Sequence, residues 1–151
     1  MPFQHTRFQK LILGLMLLLW VACSWAGPLH DAVEVGDTAR VKRLIETQSA
    51  DISEIDHRGI WPLLAATSDG NVEMVELLLK FKADPNQQDQ YQYSALHEAA
   101  SLGFRDVVEI LIQAKADINA RDINGITPLG YAMRSQSQGS VALLQNSGAI
   151  Q

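Results

Sequence analysis

Residues 94–119 read SALHEAASLGFRDVVEILIQAKADIN. Leu96, Ala99 and Ala100, and then Val108, Leu111 and Ile112, fall at the spacing of one face of a helix. Gly103 stands between the two sets, and Ala116-Asp117 closes the stretch with a polar turn. The segment is therefore read as two short helices in tandem. Neither is long enough to hold its shape alone in water. Each needs neighbours to cover its apolar side.

Those neighbours are copies of the same unit. Leu63, Leu96 and Leu129 are 33 residues apart, as are Ala50, Ala83, Ala116 and Ala149. Asp51, Asp84 and Asp117 share the period, and so do Asp56, Asp89 and Asp122. Leu29 lies 34 before Leu63, so the first copy carries one extra residue, placed near Thr47 to Ser49. First helices are expected to start at Pro28, Pro62, Ala95 and Pro128, because proline suits the first helical position. Ser94 and Thr127 are read as N-caps, and Gly36, Gly70 and Gly103 as the breaks that follow. Second helices carry Val41, Leu44 and Ile45; Val75, Leu78 and Leu79; Val108, Leu111 and Ile112; Val141 and Leu144. The expected fold is all-α: a solenoid of about four helix–turn–helix repeats whose stacking buries one continuous core.

The unit resembles an ankyrin repeat. That family's opening Gly-x-Thr-Pro-Leu-His-x-Ala is matched by Gly125-Ile126-Thr127-Pro128-Leu129-Gly130-Tyr131-Ala132, and in altered form by Ser94-Ala95-Leu96-His97-Glu98-Ala99-Ala100. Its closing Gly-Ala-Asp-x-Asn is matched by Lys115-Ala116-Asp117-Ile118-Asn119 and Lys82-Ala83-Asp84-Pro85-Asn86. The resemblance covers residues 28 to 150. It implies an N-terminal capping repeat at 27–57, repeats at 58–90 and 91–123, and a C-terminal capping repeat at 124–151. Leu64 and Gly130 replace the family histidine, and Trp61 the threonine, so the hydrogen bonds those residues make between repeats are expected only around Ser94 and His97.

Candidate chemistry is thin. His97-Glu98-Ala99-Ala100-Ser101 falls one histidine short of a zinc-protease helix, since Ser101 stands where the second imidazole is required. A carboxylate recurring in every copy points to turn chemistry rather than to a catalytic pair. The expectation is of no enzyme, no cofactor and no metal, with an activity built on His57 and the acidic loops as the outside alternative.

Binding is the better reading. A repeat solenoid offers a concave face of first helices and loop tips, and exposed aromatic and arginine residues anchor interfaces. The candidates are His57, Arg58 and Ile60 in the first finger loop, Gln90, Tyr91 and Tyr93 in the second, and Ile123 and Ile126 in the third. Ser68, Asp69, Ser101, Leu102 and Arg134 join them from the helix ends. Tyr93 has an alternative role as filling between repeats, against Ile60 or Ile126. Gln92 stands where the family loop has glycine.

The chain has 151 residues and a formal charge of -5. Without residues 1–26 it holds 10 basic and 17 acidic side chains. That balance disfavours nucleic acid and anionic membrane surfaces as partners. Cys23 is the only cysteine, so residues 27–151 have neither disulfide nor thiolate chemistry. The start of the chain reads as an export signal: Arg7 and Lys10, an apolar run from Leu11 to Val21, then Ser24-Trp25-Ala26 with cleavage between Ala26 and Gly27. A retained membrane anchor is one alternative, although a span needs about 20 apolar residues. Lipidation at Cys23 is another. The expected product is a monomer in a bacterial periplasm or outside the cell, bound to another protein.

Overall fold

The computed structural model describes residues 27–150. The proposed signal, its cleavage site on the Ala26 side, and Cys23 lie outside the described residues.

Eight helices alternate in two layers. Four short first helices are α1 (Pro28–Glu34), α3 (Pro62–Ser68), α5 (Ala95–Leu102) and α7 (Pro128–Arg134). Four second helices are α2 (Thr38–Glu46), α4 (Val72–Lys80), α6 (Arg105–Gln113) and α8 (Gln138–Asn146). Each first helix packs on its own second helix and on the first helices of adjacent repeats, and the second helices stack likewise. Finger loops at 55–60, 88–93 and 121–126 join the repeats. The described residues hold no strand, only an isolated bridge from Gln88 to Ser94.

Local chemistry sets these boundaries. Three of the four first helices begin at a proline, whose missing N–H has no intrahelical partner to lose. Thr127 Oγ1 accepts the N–H of Gly130 and caps α7. Asp37 and Asn71 cap α2 and α4 in the same way. Gly103 ends α5 in the left-handed region, at φ 76°. The second helices end at Gln48, Lys82 and Lys115, also at positive φ (53°, 70° and 71°), where side chains carry a steric cost that glycine would not.

The core is the repeated apolar set. Leu29, Leu63, Leu96 and Leu129 are buried, with Val75, Leu78, Val108, Leu111 and Leu144 from the second helices. Ala32, Ala66, Ala99, Ala100 and Ala132 let the first helices approach closely. Between repeats, Asn86 Nδ2 donates to the Lys115 carbonyl (3.2 Å) while its Oδ1 accepts the Asp117 N–H (2.7 Å). Asn119 Oδ1 accepts the N–H of Ile150 at 2.8 Å. These asparagines stitch the turn after α4 to the turn after α6, and that turn to the end of the last repeat.

One expectation is sharpened and one needs correction. The extra residue of the first copy, expected near Thr47 to Ser49, is Ala50. The N–H of Ser49 donates to Leu44, as Ala83 does to Leu78, Ala116 to Leu111 and Ala149 to Leu144. Ser49 is therefore the counterpart of Ala83, while Asp51 still pairs with Asp84 through its turn to residue +2. Only Ala50 is left over. The correction concerns the histidines. The bond from His97 Nε2 to the Ile126 carbonyl, at 3.2 Å, has a twin: His30 Nε2 reaches the Ile60 carbonyl at 2.9 Å. Inter-repeat fastening thus occurs in the first copy as well. His30 differs in that its buried Nδ1 has no described partner: Gly27 lacks the hydroxyl that Ser94 places 2.8 Å from His97 Nδ1.

Candidate functional site

Each finger loop is built on one aspartate. Oδ1 of Asp56 accepts the N–H groups of Arg58 and Ile60 at 2.8 and 2.9 Å. Asp89 does the same for Tyr91 and Tyr93, and Asp122 for Asn124 and Ile126. The third loop residue before the return is left-handed: Gly59, Gln92 and Gly125, with Gln92 at φ 58°. Burial opposes the charged form of Asp56. The N–H groups of Ile60 and Arg58 and the Arg58 guanidinium outweigh it, holding the carboxyl below its ordinary 3.8. Asp122 is lowered likewise: burial opposes its charge, and the Ile126 N–H, the Tyr131 hydroxyl and Asn124 outweigh that. The recurring carboxylates are turn-makers, as their period implies.

That loop geometry sorts the candidate residues. His57 is exposed at the first tip. Arg58 is half exposed but committed: it pairs with Glu34 of α1 and donates Nε to Asp56 Oδ2 at 2.7 Å. Ile60 is half-buried, with its carbonyl held by His30. Gln90 and Tyr91 are exposed, Tyr91 to 56%. Ile123 is exposed to 62%, and its N–H donates to the Tyr91 carbonyl at 2.8 Å, joining the second and third fingers. Ile126 is half-buried.

At the first-helix ends, Ser68 and Asp69 are exposed, and Ser68 Oγ donates to Glu98 Oε1 at 3.1 Å. Ser101 is half-buried, Leu102 is exposed to 47%, and Arg134 is exposed. Five exposed apolar residues escaped the sequence reading: Val35 after α1, Ile55 in the first finger and Met133 in α7 belong to this face, while Val72 opens α4 and Ile150 lies at the C-terminal end.

Tyr93 is filling between repeats, seated against His97 and Tyr131. Its ring stacks on His97 (centroids 5.3 Å apart) and meets Tyr131 edge-on at 5.4 Å. Its hydroxyl donates to Glu98 Oε2 at 2.9 Å. Burial first, and then the Glu98 carboxylate, push the phenol well above its ordinary range. His97 is fully buried within this cluster. The Ile126 carbonyl only accepts and the Ser94 N–H only donates, so His97 carries its proton on Nε2 and accepts at Nδ1. Burial lowers its pKa from 6.5.

Between the first and second fingers lies an open cleft of about 500 Å³, with Ile55, His57, Arg58, Asp89, Gln90 and Tyr91 along its walls. Among the described residues, no group of three His, Cys, Asp or Glu is placed to hold a metal ion. No helix among them is long and apolar enough to cross a membrane.

A helical-repeat solenoid with stitched turns, aspartate-built fingers and an open, partly apolar face defines a class of recognition scaffold. This chain belongs to the ankyrin repeat family: residues 29–122 match the family described as ankyrin repeats (3 copies). It is similar to human inversin, 33% identical over 127 residues, covering 84% of this chain and 12% of inversin. Human protein phosphatase 1 regulatory subunit 27 is 36% identical over 69 residues, 46% of this chain and 45% of that protein. The zebrafish neurogenic locus notch homolog protein 1 is 40% identical over 73 residues, 48% of this chain and 3% of its own length. The chain thus spans about an eighth of inversin and less than half of the phosphatase subunit.

Proposed function

We propose that this chain is a non-catalytic scaffold that binds another protein through the face formed by its finger tips and first-helix ends. It acts after export to a bacterial periplasm, as an accessory or chaperone-like factor for an envelope protein. The observation that carries the binding role is the distribution of exposed apolar groups. Tyr91, Ile123, Leu102, Val35 and Met133 stand on fingers and first-helix ends, whereas the exposed side of the second helices, Val72 apart, is mostly charged, with Arg40, Lys42, Glu73, Glu76, Arg105 and Asp106. Exposed apolar and aromatic groups gathered on one side mark contact surfaces. The relative named as a regulatory subunit acts, by its name, on another protein, which supports the same reading.

The test is affinity capture from the producing organism with the parent chain and with Leu102→Ala plus Ile123→Ala. Both residues are exposed, so the double variant keeps its helical content. The proposal expects it to lose a partner that the parent retains. Equal recovery by both would remove this face from the account. The export claim has its own measurement, the intact mass of the exported protein. A product beginning at Gly27 is expected, and one beginning at Met1 contradicts it.

A further inference from the structure

The three finger aspartates agree in what Oδ1 does and differ at Oδ2. Asp56 Oδ2 accepts from Arg58 Nε at 2.7 Å. Asp122 Oδ2 accepts from the Tyr131 hydroxyl at 2.7 Å and from Asn124 Nδ2 at 3.4 Å. Asp89 Oδ2 accepts from no described group, while its Oδ1 is occupied twice. The repeat explains the difference. Tyr91 stands where the first finger has Arg58, so the internal cation is gone. Glu98 stands where the last repeat has Tyr131, so a donor is replaced by a second carboxylate. Glu98 accepts instead from the Tyr93 hydroxyl and from Ser68.

A second observation places Asp89 beside free space. Asp89 and the exposed Tyr91 both line the cleft between the first and second fingers. The second and third fingers are joined by the bond from the Ile123 N–H to the Tyr91 carbonyl. The equivalent N–H, that of Gln90, makes no such bond to the first finger among the described residues. The cleft therefore stays open where its neighbour is stitched shut. Arg58, the one cation on its wall, is already engaged by Asp56 and Glu34.

We propose that this cleft receives an arginine side chain of the partner protein, whose guanidinium donates to Asp89 Oδ2 and lies on the ring of Tyr91. The proposal rests on the reading of this face as the partner-binding surface and adds the chemistry of the partner. A carboxylate oxygen with no donor from its own chain can accept a charge-assisted hydrogen bond from a partner's cation, the stronger kind of hydrogen bond. An exposed phenol ring beside it favours a planar cation that donates in its plane and stacks by its face, which guanidinium does and ammonium does not. Asp69 and Glu98 on the neighbouring first helices add negative charge of the same sense. The partner's arginine would do for Asp89 what Arg58 does for Asp56 within one loop.

The probe is the peptide acetyl-Ala-Arg-Ala-amide, with citrulline in place of arginine as the neutral control. Binding to the full chain is followed by two-dimensional amide NMR. Saturable shifts at Ile55, Asp89, Gln90 and Tyr91 are expected with the arginine peptide, and affinity at least about tenfold weaker with citrulline. Asp89→Asn keeps the oxygen that builds the turn and replaces Oδ2 by an NH₂ group. It is expected to bind both peptides equally weakly, with an otherwise unchanged spectrum. Tyr91→Arg copies the first finger and fills Oδ2 from within, so it too is expected to lose the arginine peptide. Equal affinity for the two peptides, or undiminished arginine binding in Asp89→Asn, would overturn the assignment. If Asp89→Asn captures the cellular partner as well as the parent while Leu102→Ala plus Ile123→Ala does not, the arginine assignment falls and the binding face stands.

Discussion

Replacing His97 by leucine isolates the fastener between the third and fourth repeats. Leucine is already accommodated at the matching position of the second repeat, where Leu64 is buried, so bulk is preserved and bonding is lost. The Ser94 N–H, in a residue 3% exposed, loses its acceptor. A buried donor left unpaired costs about 1–3 kcal/mol. The Ile126 carbonyl is less affected, because it also accepts the Asp122 N–H; losing the imidazole bond there costs about 1 kcal/mol. The aromatic contacts with Tyr93 and Tyr131 contribute about 0.5–1.5 kcal/mol each. Part of this returns through the greater hydrophobicity of leucine, which leaves a net loss of about 3 kcal/mol.

Urea unfolding followed by circular dichroism measures that loss. A slope of about 2 kcal/mol per molar puts the midpoint about 1.5 M lower. The same variant carries a pH signature. Burial lowers the folded-state pKa of His97 below 6.5, so the folded protein binds fewer protons than the unfolded chain. Its contribution is complete above pH 6.5 and is lost as pH falls from there through the folded-state pKa. The parent is expected to weaken across that window more steeply than His97→Leu. A loss below about 1 kcal/mol together with an unchanged pH slope would refute the fastener.

Three further outcomes follow from the same geometry. Lys82→Gly and Lys115→Gly each relieve a left-handed side chain at a helix end and are expected to raise stability by about 1 kcal/mol; a fall in the thermal midpoint of either contradicts this. Asn86→Ala removes both bonds to the third repeat's turn and is expected to cost about 1–2 kcal/mol in urea unfolding, more than Asn119→Ala, which removes the single bond to Ile150. Leu96→Ala empties a fully buried position and is expected to cost about 2–5 kcal/mol by the same assay, with no change from a compensating repack.

The fold was legible because each boundary is announced by a residue with few alternatives. Proline opens three first helices, and glycine closes three of them. The 33-residue period carries the rest. The position of the extra residue was hidden because Ala50 keeps the period with Ala83 by chance of identity. What decides the register is the left-handed residue before the turn, and Gln48 does not advertise that conformation as glycine would. His30 was hidden for a similar reason, since its neighbour Gly27 lacks the hydroxyl that marks Ser94.

The site was legible in outline. The aspartate period identified the finger loops, but sequence alone left the two tyrosines of one finger unsorted. Asp89 Oδ1 gathers the N–H groups of both Tyr91 and Tyr93, and the tight loop that results turns Tyr93 inward onto His97 and leaves Tyr91 outside. Val35 and Met133 went unnoticed because an apolar residue in a helical repeat reads as core until the turn of the helix is known. The free oxygen of Asp89 has no sequence signal of its own. It emerges only by comparing what stands beside each aspartate in successive repeats.

Site-specific photo-crosslinking in the producing organism reads out which face of the solenoid meets a partner. A photoreactive phenylalanine is placed at Tyr91, on the second finger, and in a separate strain at Glu76, exposed on the second-helix side. A discrete adduct with another protein is expected from position 91 and none from position 76. An adduct from position 76 with none from position 91 would contradict the proposed binding face.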